Sequence, residues 1–108
     1  MIRAGHAIRR EDFAGKRAPM PGFVLLVRPR GDDDMTMRVG FTVTRKIGNA
    51  VVRNRMKRRF RALARETLPE HGIAGADHVL IGRAGGIERD YASLAAELKR
   101  ALKKLAAE

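Results

Sequence analysis

The chain has no cysteine and no tryptophan, and only one tyrosine and four phenylalanines among its 108 residues. The missing thiols exclude a disulfide scaffold, a thiolate zinc site and a cysteine nucleophile. No apolar run reaches the roughly 18 residues of a membrane-spanning helix. The start, Met1-Ile2-Arg3-Ala4-Gly5-His6, lacks a secretory apolar core. These absences predict a cytoplasmic protein that does not enter a membrane. With 44% hydrophobic residues, a chain of this length can bury one core but not two, so residues 1–108 are expected to form a single domain.

Acidic residues are also scarce, and their distribution is uneven. No Asp or Glu occurs from Arg38 to Arg65. From Arg45 to Glu66 nine bases face one acid, a net +8 in 22 residues against +11 for the whole chain. From about Ala50, the residues Val52, Met56, Phe60, Leu63 and Thr67 recur at helical spacing and form one apolar stripe. Arg53, Lys57 and Arg61 flank it on one side, with Asn54, Arg58 and Arg65 beyond them and Arg55 and Arg59 on the other flank. A solvated helix ordinarily mixes signs and gains from acid–base pairs four residues apart. Here the repulsion is uncompensated, and cations in the first turns oppose the helix dipole by a few tenths to about 1 kcal/mol each. A polyanion laid on this face would reverse the sign of each term, so the expected partner is nucleic acid.

The segment Lys46-Ile47-Gly48-Asn49-Ala50-Val51-Val52-Arg53-Asn54-Arg55-Met56-Lys57-Arg58-Arg59 resembles the signature of the bacterial ribonuclease P protein component, the protein subunit of the ribonucleoprotein that matures transfer RNA 5′ ends. Its Arg-Asn-Arg core, preceded by Gly-x-Ala-Val and followed by Lys-Arg, is far more specific than a generic basic run. The resemblance extends over nearly the whole chain. It implies an α+β fold, a small α/β sandwich in the order helix, two strands, basic helix, strand, helix, with an extra short strand near 15–20 and a left-handed βαβ crossover, a handedness that is rare elsewhere. It also implies that Arg53, Asn54, Arg55, Lys57, Arg58 and Arg61 contact the catalytic RNA. Phe13, Thr44, Arg45, Lys46 and Arg83 would then receive the 5′ leader of precursor tRNA.

Along the chain, Ile8 to Arg17 reads as a short helix ending near Gly15, and it resembles the family's Arg-Arg-x-Asp-Phe element. The family carries a second aromatic one turn on, whereas here Gly15-Lys16-Arg17 follows Phe13 almost at once. Phe13 is therefore either a base-stacking residue, worth about 1–3 kcal/mol, or a core plug. Phe23 to Pro29 and Met37 to Thr44 alternate as strands about Arg30-Gly31-Asp32-Asp33-Asp34 and read as a hairpin. The three aspartates sit in a turn with no further ligand nearby, which disfavours a metal site. Thr44-Arg45-Lys46 stands where the family has Ser-Lys-Lys. Asn49 is a candidate N-cap, and Gly48 beside it would let a phosphate approach the helix start.

The basic helix is expected to stop before Pro69, with 70–76 a loop and His78 to Arg83 a third buried strand in which Gly82 replaces the family's usual Ala. Tyr91 to Glu108 reads as an amphipathic helix capped by Asp90, with Tyr91, Leu94, Leu98, Ala101, Leu102 and Leu105 on one face and Lys99, Arg100, Lys103 and Lys104 solvated on the other. His6, His71 and His78 fall in a tail, a loop and a strand edge without acid–base partners, and no Ser or Thr lies in a nucleophile elbow. No catalytic residue and no protein-bound cofactor or metal is expected. The resemblance implies instead that the RNA subunit hydrolyses the phosphodiester with Mg2+, the partners being that RNA and precursor tRNA, with no further protein required. Two other readings share the basic helix: a general ribosomal-RNA- or DNA-binding protein, and a membrane-surface amphipathic helix, although the apolar stripe of the latter is needed for the core.

Overall fold

The computed structural model describes residues 2–4 and 15–107, with β1 (Ile2–Ala4) known by its backbone alone. The predicted first helix and Phe13 lie outside the described residues, except that Lys16 and Arg17 stand in a strand, β2 (Lys16–Pro19). That strand matches the extra element expected near 15–20. There follow β3 (Phe23–Pro29), β4 (Met37–Thr42), α1 (Ala50–His71), β5 (Ala76–Gly82), a 3-10 turn (Ala84–Gly86) and α2 (Tyr91–Ala107). The strands form one sheet in the order β1-β4-β5-β3-β2.

This order corrects the hairpin reading of β3 and β4. The two strands do not pair with one another: β5 lies between them, antiparallel to β3 and parallel to β4. Its run Val79-Leu80-Ile81, apolar on both faces, suits a central strand. The connection 30–36 straddles the start of β5. Arg30 N–H donates to the Gly75 carbonyl at 3.1 Å, and Gly75 N–H donates to the Met35 carbonyl at 3.0 Å. His78 is therefore fully buried in a strand interior, not at an edge.

Alternation sends Phe23, Leu25 and Val27 of β3, Ala76, His78 and Leu80 of β5, and Val39 and Phe41 of β4 to the face covered by both helices. From α1 the stripe Met56, Phe60, Leu63, Ala64 and Leu68 enters this core, and from α2 Leu94, Leu98, Ala101, Leu102 and Leu105. The Phe23 and Phe60 rings meet edge to face, 5.9 Å between centroids and 76° between planes, a geometry that adds about 0.5–1.5 kcal/mol beyond the area it buries. Gly82 has its reason here, since a Cβ at that position would lie 2.5 Å from the Met56 sulfur. The helix rides directly on the strand.

The N-cap is as expected: Asn49 Oδ1 accepts from Val52 N–H at 3.0 Å. The C-terminus of α1 is not, because the helix continues through Pro69 to His71. Pro69 forfeits one hydrogen bond near the end, and buried Thr67 and Leu68 hold that turn against the core. Gly72 N–H then closes the helix on the Leu68 carbonyl at 2.8 Å. Packing overrides the local disfavour of a residue preceding proline. Asp90 caps α2 as predicted, accepting from Ser93 N–H at 3.1 Å and from Ser93 Oγ at 2.7 Å.

The opposite face of the sheet carries a charged cluster drawn from three strands and the connection after β3. The fully buried Asp77 carboxylate accepts from Arg38 through Nε at 2.6 Å and Nη2 at 2.7 Å, and from Arg28 and Arg30 at 3.1 Å each. Arg28, Asp77 and Arg38 are cross-strand neighbours on β3, β5 and β4. Burial pushes the Asp77 carboxyl upward, but the guanidinium hydrogen bonds outweigh it and hold its pKa below the ordinary carboxylate value. Two of the three aspartates of 32–34 serve the neighbouring turn: Asp32 accepts from Arg30 Nε at 3.1 Å and Asp34 Oδ1 from Thr36 N–H at 2.9 Å.

Candidate nucleic-acid interface

Because β4 and β5 run parallel, in the register Thr42 to Ile81, their carboxyl ends lie at the same end of the sheet. Thr44, Arg45 and Lys46 leave β4 there and are exposed, in a turn closed by Ile47 N–H on the Thr44 carbonyl at 3.0 Å. The helix α1 starts at this end, and Arg83 emerges here from β5. Four of the five predicted leader residues are thus brought together by topology, at the strand ends where open sheets commonly place ligands. Arg83 is exposed but anchored, since its guanidinium donates to the Met20 carbonyl at 3.0 Å and its N–H to the Gly22 carbonyl at 3.3 Å.

On α1, Asn54, Arg55, Arg58 and Arg61 are exposed, while Arg53 and Lys57 are half-buried along the flank of the apolar stripe. None of the five basic residues in this group forms an ion pair among the described residues. No acid lies in the first turn of the helix to offset its dipole. Arg53 Nε is buried and has no hydrogen-bond partner among the described residues, an arrangement that costs about 1–3 kcal/mol where no acceptor is supplied.

Arg59 differs from its neighbours in the motif. Half-buried, it donates through Nη1 to the Gly86 carbonyl at 3.3 Å and through Nη2 to the Arg89 carbonyl. Arg89 in turn pairs with Glu97, a fully buried acid on α2 whose other oxygen accepts from Gly22 N–H at 3.0 Å. This chain of contacts ties the basic helix to the β5–α2 connection and to the β2–β3 turn. Nothing local in the sequence distinguishes Arg59 from Arg58, or marks Glu97 as buried, because the Arg59 acceptors and the Gly22 donor to Glu97 are distant in the chain.

No helix among the described residues is long and apolar enough to cross a membrane. His78, the one described histidine that is buried, is occupied structurally: Nε2 accepts from Ile73 N–H at 3.1 Å and Nδ1–H donates to the Arg38 carbonyl at 3.2 Å. Burial lowers its pKa, so it stays neutral.

Comparison with known proteins agrees with this geometry. The Ribonuclease P family model matches residues 7–106. The ribonuclease P protein component of Erythrobacter litoralis is 56% identical over 100 residues, covering 89% of this chain and 81% of that protein. Its counterpart from Gluconacetobacter diazotrophicus is 49% identical over 90 residues, covering 83% and 77%. Among solved structures, the RNase P protein of Thermotoga maritima superposes with a TM-score of 0.75 at 30% identity, covering 93% of this chain and 98% of that one. The Staphylococcus aureus RNase P protein gives 0.71 at 27% identity, covering 89% and 90%. This chain, with its α+β sandwich and its basic helix at the carboxyl end of a parallel strand pair, belongs to the ribonuclease P protein component family, the protein subunits of a tRNA-processing endoribonuclease.

Proposed function

We propose that this protein binds the catalytic RNA of ribonuclease P and the 5′ leader of precursor tRNA, and so supports 5′-end maturation of tRNA in the cytoplasm. The observation that carries the reading is the run of cations on α1 that form no ion pair among the described residues, contiguous at the sheet end with Thr44, Arg45, Lys46 and Arg83. Arg53, Asn54, Arg55, Lys57, Arg58 and Arg61 are assigned to the RNA subunit. Thr44, Arg45, Lys46 and Arg83 are assigned to the leader together with Phe13, which keeps its assignment from sequence alone. Guanidinium and ammonium groups neutralise phosphates and release condensed counterions, which supplies affinity and fixes register.

In this reading the RNA carries out the hydrolysis. The Mg2+ of the holoenzyme is assigned to the RNA. The protein's own contribution is to hold two polyanions together against their mutual repulsion. Binding to bacterial ribonuclease P RNA and to an unrelated structured RNA of equal length, measured over a salt series, tests this. The reading expects preference for the former, and Arg55→Ala should weaken that binding and lower the salt slope by slightly under about one unit. Equal affinity for both RNAs, or an Arg55→Ala slope equal to wild type, would refute it.

A further inference from the structure

Beside the cationic face lies a small cavity that phosphate binding does not explain. It opens between the first turns of α1 and the β5–α2 connection, has a volume of about 130 Å³, and is walled by Val51, Met56 and Ile87. That is close to the roughly 150 Å³ of an apolar cavity that accepts a benzene ring. Val51 is 75% exposed, one of two large apolar side chains left in solvent among the described residues. Val52, Arg55, Arg59, Gly86 and Glu88 complete the lining. Arg59 is held rigid by its two carbonyl acceptors, whereas Arg55 is free of ion pairs among the described residues.

Glu88 is the unexpected member. It is an exposed carboxylate beside two arginines, yet it forms no ion pair with either or with any other described residue. On a surface built to attract phosphates, an unpaired acid weakens attraction unless it makes a contact of its own. Unstacked bases are bound by apolar or guanidinium surfaces against their faces and by hydrogen bonds to their Watson–Crick edges. A carboxylate only accepts. Guanine presents two adjacent donors on that edge, N1–H and the N2 amino group, which match the two oxygens of a carboxylate. Adenine and cytosine each offer one donor next to an acceptor, and uracil offers one donor between two acceptors.

We infer that this pocket receives an unstacked guanine of the RNA subunit, its ring against Met56 and Ile87, its Watson–Crick edge on Glu88 and its phosphate on Arg55. The inference rests on the RNA-binding reading above and adds a base-specific contact to a helix otherwise suited to phosphates. It places Glu88, outside the basic motif, among the residues that recognise RNA.

Glu88→Gln is the informative substitution, because the residue is exposed and the change leaves the fold in place. Removing an acid from a cationic RNA-binding surface should tighten binding if the acid is merely solvated. If Glu88 holds guanine, affinity for bacterial ribonuclease P RNA falls about tenfold while the salt slope stays at the wild-type value, since no phosphate contact is lost. Equal or tighter binding by Glu88→Gln overturns the proposal. Titration of the full chain with guanosine or adenosine 5′-monophosphate, followed at the Met56 and Ile87 methyl groups by NMR, gives a second readout. Shifts with the guanine nucleotide alone support the pocket; no shifts, or equal shifts with both, overturn it. Wild-type protein that does not prefer the ribonuclease P RNA would refute the wider functional reading, while the nucleotide titration would still decide the pocket.

Discussion

Replacing Asp77 by Asn keeps the shape of the side chain and removes its charge, so it isolates what one carboxylate does for three arginines. Asp77 accepts four hydrogen bonds from Arg28, Arg30 and Arg38, two of them the bidentate pair from Arg38 at 2.6 and 2.7 Å. In the variant one oxygen becomes an NH2 group, a donor facing guanidinium donors. Removing one partner of a fully buried ion pair costs about 3–5 kcal/mol. Here the Arg28 and Arg38 side chains are 34% and 39% exposed and can turn to water, so the expected cost is lower, about 2–4 kcal/mol. A loss near 3 kcal/mol corresponds to roughly 12–18 °C in Tm for a domain of this size. The pH dependence follows from the lowered pKa of Asp77. The folded state binds a proton less readily than the unfolded chain, so this stabilisation is present above the ordinary carboxylate value and is lost as pH falls below it. Urea denaturation of both proteins at pH 7 and again between pH 4 and pH 2.5 measures this. The stability difference should shrink as the wild-type carboxylate is protonated. A variant as stable as wild type at pH 7, or a difference that does not change with acid, would refute the reasoning.

Three further outcomes are expected. Phe60→Ala empties a fully buried site on the inner face of the basic helix and removes the Phe23 contact; a loss of about 3–5 kcal/mol in urea unfolding is expected, and less than 1 kcal/mol would mean the helix is not seated as described. Arg59→Ala should lower stability by about 1–3 kcal/mol through the Gly86 and Arg89 carbonyls it leaves unpaired. The salt slope for RNA should change less than for Arg55→Ala, and the reverse pattern would make Arg59 a phosphate ligand. His78 has a pKa lowered by burial, so below the ordinary histidine value of 6.5 the unfolded chain takes up a proton that the folded chain does not. Stability should fall as pH drops from about 7 to 5.5, by at most about 1.4 kcal/mol per pH unit from this group. Urea titrations of wild type and His78→Gln check this, and an equal slope in both would remove His78 as its source.

What the sequence disclosed was local. The apolar stripe of α1, its Asn49 cap and the Asp90 cap of α2 depend on residues three or four apart, and all appear as expected. The charge imbalance from Arg45 to Glu66 was equally visible, because it needs only counting. Strand order was not, since β3 and β4 are neighbours in sequence and the insertion of β5 between them is decided by pairing across some 40–60 residues. Separation in the chain likewise hid the partners of Asp77 and Arg59 and the Gly22 partner of Glu97, each of which reads in isolation as one more surface charge. Pro69 misled for a related reason: a local preference gave way to buried Thr67 and Leu68, whose packing no window of neighbours reveals. Gly82 shows the converse, a departure from the family's usual residue that became intelligible once Met56 was seen against it.

The most direct test of the central claim is cleavage of a precursor tRNA by bacterial ribonuclease P RNA at low Mg2+, with and without this protein. The RNA alone is expected to be nearly inactive there. Release of the 5′ leader at the mature end on adding the protein, with the effect reduced in Arg55→Ala, is the predicted result. No stimulation by a folded protein that binds the RNA tightly would contradict the account and leave a basic RNA-binding domain without this role.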